Sequence, residues 1–298
     1  MKRKKSPHIF TYGARRDRDT AFWIFSRIII VITIIVIVFP IVYIFSVSIR
    51  TKETLNQDYF AVIPKKVTLF NYLDAFNYAR KHLNVTFLQM FRNSLICTTS
   101  AVAVAILIAA FSSFSFSNYK FRGKELTFTI IIASFAIPAQ VLLIPLFFIL
   151  RNLKILNTYF AIIIPYIGFL IPIATLILRS FFEQIPQEIK ESAKIDGASD
   201  LRIFLQIILP LAKSAIATCI ILLFLETWNE FIFALVFIQN PKIQTIPVAI
   251  AKIAGSRYMI PLGTYAASIM ITVIPILIVF VLFQKWFISG ITMGSIKG

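Results

Sequence analysis

Glu226, Trp228, Asn229 and Glu230 stand close together in a stretch, Leu211 to Ile238, that is otherwise mostly apolar. Two carboxylates, an amide and an indole at this spacing could line a solute path, offering hydrogen-bonding groups and one flat apolar face. The two acids are four residues apart, so a continuous helix carries both on one face. With Leu211 at one membrane surface, a rise of about 1.5 Å per residue puts Glu230 roughly 28 Å along the helix. An acid in hydrocarbon costs on the order of 3 kcal/mol or more, so both are expected to face protein or a wet cavity. Two plainer readings stand beside this one: an acid hydrated from the nearer membrane surface, and a proton relay. Other chemistry is absent from the pattern. Gly123-Lys124 lacks the upstream glycine and the following hydroxyl of a phosphate loop. No nucleophile stands with a base. His8 and His82 lie far apart, and Cys97 and Cys219 fall inside apolar runs, where buried thiols are the default. No catalytic residue, metal site or cofactor is therefore expected in the chain itself.

The elements that must hold these groups follow from composition. The chain has 298 residues, a mean hydropathy of +0.84 and only 14% charged residues. A soluble domain is nearer a quarter charged. Long uncharged runs predict an all-α membrane protein with six spans, near 23–48, 93–117, 126–150, 158–178, 211–238 and 263–287. The basic start, residues 1–22, precedes an apolar run too long for a signal peptide, so an uncleaved membrane helix is expected. Residues 49–92 read as a polar connection with a short helix near Leu69–Arg80. Net charge is +17, but the bases sit in loops beside apolar runs, which is a topology signal and not a nucleic-acid footprint. Of the 30 Lys and Arg, 18 fall on the side of the N-terminus and 12 on the other. Both termini and the loop between spans four and five are therefore expected in the cytoplasm.

That loop, 183–210, has the grammar of two short helices. Pro186 suits a first helical position, Gly197 the left-handed residue past a helix end, and Ser199 or Asp200 a second cap. Leu201, Phe204, Leu205 and Ile208 then form one apolar stripe, which Pro210 closes. From Glu183 to Arg202 there are five acids (Glu183, Glu188, Glu191, Asp196, Asp200) and three bases (Lys190, Lys194, Arg202). A helix lying on lipid is usually basic, so this balance favours a protein partner.

Glu191-Ser192-Ala193, Gly197 six residues after Glu191, and Leu209-Pro210 together resemble the coupling loop of ABC importer permeases. Ser192 departs from the family, which prefers Ala there, but it keeps a small residue. The resemblance runs along nearly the whole chain. It includes Asn93-Ser94-Leu95, Phe121-Arg122-Gly123-Lys124, Pro138-Ala139-Gln140, Trp228-Asn229-Glu230-Phe231, Asn240-Pro241 and Thr245-Ile246-Pro247-Val248. It closes on a tail from Gly290 to Gly298, and the whole is similar to the maltose-type carbohydrate-uptake permeases.

The resemblance implies a set of roles. Glu191, Ser192, Ala193, Asp196, Gly197, Ala198, Phe204 and Pro210 would meet a groove of an ATP-hydrolysing subunit. Gly290, Gly294, Lys297 and Gly298 would contact the ATPase dimer. Gln140, with Glu226, Trp228, Asn229 and Glu230, would line the substrate path. The outer loop 240–262, with Lys242, Lys252 and Arg257, would meet an extracytoplasmic solute-binding protein. The implied assembly adds a second permease and two ATP-binding subunits that hold Mg-ATP, in a bacterial cytoplasmic membrane, and its substrate is a sugar. About 12 bases against three acids (Glu53, Asp58, Asp74) in the outer loops favour an acidic saccharide or an acidic binding protein. The alternative is an ion-gradient-driven secondary carrier, whose inverted repeats and midplane charges are not visible here.

Overall fold

A computed structural model describes residues 12–255 and 260–295. Among them nearly all regular structure is helical, and the one β pairing is an isolated bridge between Arg50 and Val67. Helix α1 (Tyr12–Ser48) carries an apolar stretch, Phe22–Ser48, that is almost wholly exposed; its main neighbour is the last helix. Short α2 (Lys52–Gln57) and α3 (Phe70–Leu83) follow, the latter close to the helix expected near Leu69–Arg80. Buried Arg50 gathers this connection by donating to the carbonyls of Thr54, Asp58 and Ala61.

The core is the pair α4 (Phe87–Asn118) and α7 (Phe160–Phe182). Ala101, Ala105 and Ala109 repeat every fourth residue on α4 and are fully buried. Small residues let the backbones approach, and Ser113 Oγ bonds the Thr175 carbonyl across the seam at 3.1 Å. Pro165 and Pro172 both lie within α7, which stays a single helix.

The third span, expected over 126–150, is broken at its first proline. Helix α5 (Lys124–Ser134) ends at a break that contains Pro138; a 3₁₀ turn and α6 (Leu143–Asn152) then leave at 86°. Pro138 supplies no N–H and steers the residue before it away from helix, which accounts for the corner. Helices α8 (Gln187–Ile195), α9 (Asp200–Ile203) and α10 (Leu209–Leu211) form the elbow, with a π turn at Phe204–Ile208.

The fifth span differs from expectation. Helix α11 (Lys213–Trp228) stops at Trp228, and α12 (Ile232–Phe237) is a separate short helix. Helix α13 (Ile246–Ala254) lies in the outer loop, and α14 (Leu262–Ser295) ends the described chain. α14 runs beyond the expected 263–287, so Gly290 and Gly294 are helical, whereas Lys297 and Gly298 lie outside the described residues. Among the described residues four helices are long and apolar enough to cross a membrane, and two bent pairs bring the possible crossings to six.

Candidate functional site

The elbow is built by local rules. Past α8, Gly197 takes φ +79°, a conformation that costs a residue with a Cβ about 1 kcal/mol or more. Its N–H bonds the Lys194 carbonyl at 3.0 Å, and the Ala198 N–H bonds the Ala193 carbonyl at 2.9 Å. These two bonds are a Schellman stop, which satisfies carbonyls that a helix end leaves open. Ser199 then caps α9 by accepting from the Arg202 N–H.

One side of the elbow is anchored. Ala193, Ile203, Phe204 and Ile208 are buried, and Phe204 meets Phe111 and Phe114 at ring distances of 4.7 and 5.1 Å. Leu201 and Leu205, expected on the same stripe, are exposed instead. A π turn begins at Phe204, after Leu201 and before Leu205. Its bonds span five residues, as from the Leu209 N–H to the Phe204 carbonyl, and it rotates the buried face. Pro210, with no N–H of its own, is the local cause. Pro210 does not close the helix as expected. The chain continues to Leu211, and the 73° bend to α11 falls at Ala212.

The other side of the elbow is open. Glu191, Ser192, Asp196 and Gly197 are exposed, and Ile195 is 86% exposed in their midst. Asp200 accepts from Tyr119 Oη at 2.6 Å and pairs with Lys194 at 3.2 Å, which ties the elbow to the end of α4. The Tyr119 hydroxyl is pushed up to about 12 by that bond, with burial and the Asp200 charge adding to it. Lys190 is buried on the anchored side. Desolvation lowers its ammonium pKa, and the nearby Glu183 charge opposes that shift.

The bent third span opens a cavity of about 790 Å³ among α5, α6, α7 and α11. Its wall is largely apolar, with Gln140, Ser134 and Glu226 as polar exceptions. The structure thus brings two of the five expected path residues, Gln140 and Glu226, to one cavity. Trp228 is a correction. It is buried, stacked on Phe224 at 5.4 Å, edge-on to Phe91 at 5.7 Å, and its Nε1 donates to the Thr272 carbonyl. No open ring face remains for a sugar here.

Glu230 is also corrected, because α11 ends before it and the two acids share no helix face. Its carboxylate accepts from the N–H groups of Phe233 and Ala234, in the first turn of α12, and from Tyr166 Oη at 2.5 Å. An acid at a helix start satisfies open N–H groups and the dipole together. Asn229 Nδ2 donates back to the Leu225 carbonyl at 2.9 Å and helps end α11.

The outer loop is clamped from below. Asn93 Nδ2 donates to the carbonyls of Lys242 and Gln244, both at 3.0 Å, while its Oδ1 accepts from Tyr159 Oη at 2.7 Å. Ser94 Oγ accepts from the Ile246 N–H at 2.8 Å. Asn157, in the left-handed region at φ +59°, accepts from the N–H groups of Gln239 and Asn240. Sequence reading took Asn93-Ser94 only as a likeness and missed Asn157 and Tyr166, whose roles need the folded chain. Lys242 is exposed, as its expected role requires. Lys252 is half-buried: its Nζ donates to Gln244 Oε1 at 2.9 Å, and burial lowers its pKa. Arg257 lies outside the described residues.

This arrangement of spans, elbow and outer loop has known counterparts. A sulfoquinovosyl glycerol transport system permease of Agrobacterium fabrum is 33% identical over 87% of this chain and 89% of its own length. A trehalose/maltose transport system permease of Thermococcus litoralis is 32% identical over 89% of this chain and 93% of its own. The solved chain of a bacterial ABC transporter involved in the import of the acidic polysaccharide alginate superposes with a TM-score of 0.77. It is 25% identical over 95% of this chain and 100% of that one. Residues 101–293 match one family model, and the chain belongs to that family, the binding-protein-dependent transport system inner membrane components.

Proposed function

We propose that this chain is the permease subunit of an ATP-driven importer that takes a sugar or oligosaccharide from a binding protein by alternating access. The observation that carries this reading is the open side of the elbow, where Glu191, Ser192, Ile195 and Gly197 face outward from an anchored helix pair. An anchored helix with one presented face is how a helix-in-groove contact is made. The groove belongs to one of two ATP-hydrolysing subunits, which hold the Mg-ATP; this chain lacks a phosphate loop and needs no cofactor of its own. A second permease completes the pathway beside α5 and α6. The excess of Lys and Arg on the N-terminal side supports both termini and the elbow lying on the cytoplasmic side, and the family's description supports a bacterial inner membrane. The sugar class is supported by the named substrates of the relatives, and an acidic saccharide by the alginate importer and the basic outer loops.

The test is ATP hydrolysis by the purified assembly, read against a series of neutral and uronate-containing oligosaccharides loaded on the binding protein. Stimulation by a saccharide is the expected result, and the uronates separate the acidic option. Uptake that survives loss of ATP and collapses with the ion gradient would replace this reading with a secondary carrier.

A further inference from the structure

Within this chain α5 is weakly attached for a membrane helix. It has no buried residue, and it joins α6 through the corner at Pro138. Its start, however, is gripped. Arg179, in the last turn of α7, donates through Nη2 to both oxygens of Glu125, at 2.9 and 3.1 Å. Its guanidinium also lies 3.9 Å from the Phe128 ring centroid, again on α5, and 5.8 Å from that of Phe116 on α4. The Arg179 side chain is 11% exposed while Glu125 is 68% exposed, so the cation belongs to the bundle and the acid to the movable partner.

The same cation holds the elbow. Arg179 Nε donates at 2.7 Å to Glu183, which ends α7 three residues before Pro186 opens the elbow. Its Nη1 is buried without a partner, leaving a donor free to take another acceptor when the neighbours shift. The far end of α5 and the corner, at Ser134, Phe135 and Pro138, line the cavity. One guanidinium therefore joins the first residues of the elbow to a hinged half-span that walls the cavity.

We propose that Arg179 is a positioning residue that transmits displacement of the elbow to α5 and so sets the opening of the cavity. The proposal rests on the elbow being driven by an ATP-hydrolysing partner. When the elbow is drawn away, Glu183 moves with it and Arg179 must follow or exchange acceptors. Either way Glu125 loses its clamp, and α5 turns about the Pro138 corner. A discrete exchange of acceptors gives the two-state element that mechanical coupling needs.

The experiment uses the assembled transporter carrying S134C as a cavity reporter, labelled with a charged thiol reagent with and without ATP. Glu125→Gln should raise labelling without ATP by about tenfold, a shift of the size that losing hydrogen bonds to a charged group produces. Glu183→Gln should instead leave labelling low and insensitive to ATP, while Arg179→Lys, which keeps the charge but loses the fork, should match Glu125→Gln. A merely structural Arg179 would lower the amount of assembled complex without changing the ATP dependence of labelling. If the S134C parent responds to ATP and both acid variants respond as it does, the Arg179 proposal is overturned and the importer reading stands. If the parent shows no ATP response at all, both fall together.

Discussion

The outer loop and the elbow flank the fifth span, and both are polar connections between apolar runs, yet they are fastened in opposite ways. The outer loop is held by side chains that reach its backbone: Gln89 and Asn93 take its carbonyls, while Ser94 and Asn157 take its N–H groups. The elbow is held mainly by apolar burial at Ala193, Ile203, Phe204 and Ile208, with polar ties at its edges, Asp200 to Tyr119 and Glu183 to Arg179. Directional bonds permit one geometry, so the outer loop is a fixed ledge. Apolar contact without directional bonds lets packed helices slide and tilt together, which suits an element that must move. The contrast teaches where rigidity is needed: the ledge presents a shape, and the elbow transmits a displacement.

Breaking the elbow's anchor gives the largest effect. Phe204→Ala empties a fully buried ring site and should destabilise the chain by about 3–5 kcal/mol, read as loss of cooperative thermal unfolding in detergent. Next comes the ledge. Asn93→Ala leaves the buried Gln244 carbonyl and the Tyr159 hydroxyl without their partner, while Gln89 still serves the Lys242 carbonyl, at a cost of about 1–3 kcal/mol. Binding-protein docking should fall with it, while basal ATP hydrolysis is retained. The two variants together sharpen the contrast: the elbow variant lowers ATP-coupled transport, the ledge variant lowers docking. If both lowered the same step, the contrast would be wrong.

Gly197→Ala probes the open side. A Cβ there meets nothing within 4 Å in this chain, so the left-handed strain of about 1–2 kcal/mol is the whole intrinsic cost. Loss of coupling well beyond that strain must come from a partner surface, and a variant that loses no more than the strain allows would argue that nothing sits there. The smallest effect on folding belongs to Glu191→Lys. An exposed charge reversal should change stability by less than about 0.5 kcal/mol, yet transport per ATP should fall.

The parts read well from sequence are those set by local chemistry. Gly197 and Ser199 do their jobs through their own backbone and side chains, and the structure places them as their types dictate, while Pro186 sits one residue before the first helical position, at the N-cap of α8. What sequence could not supply is direction across the bundle. Trp228 carries the same pattern whether its indole faces a cavity or the back of α14, and only the approach of Phe91 and Thr272 decides it. Glu230 reads as a partner of Glu226 under helical spacing, but Asn229 ends the helix first and the acid serves α12. Leu205 follows a 3.6-residue period that the π turn beside Pro210 breaks. Lys252 counted as outward charge until Gln244, eight residues earlier, took its ammonium.

The central claim is that the open face of the elbow is seated in a nucleotide-hydrolysing subunit. A photo-crosslinking residue placed at Ile195, which is 86% exposed in the isolated chain, tests it most directly in the assembled transporter. The expected result is one dominant covalent product with an ATP-binding subunit, its yield changing between ATP-bound and nucleotide-free states. Crosslinks to lipid, or quenching by water with no protein product in either state, would contradict the account.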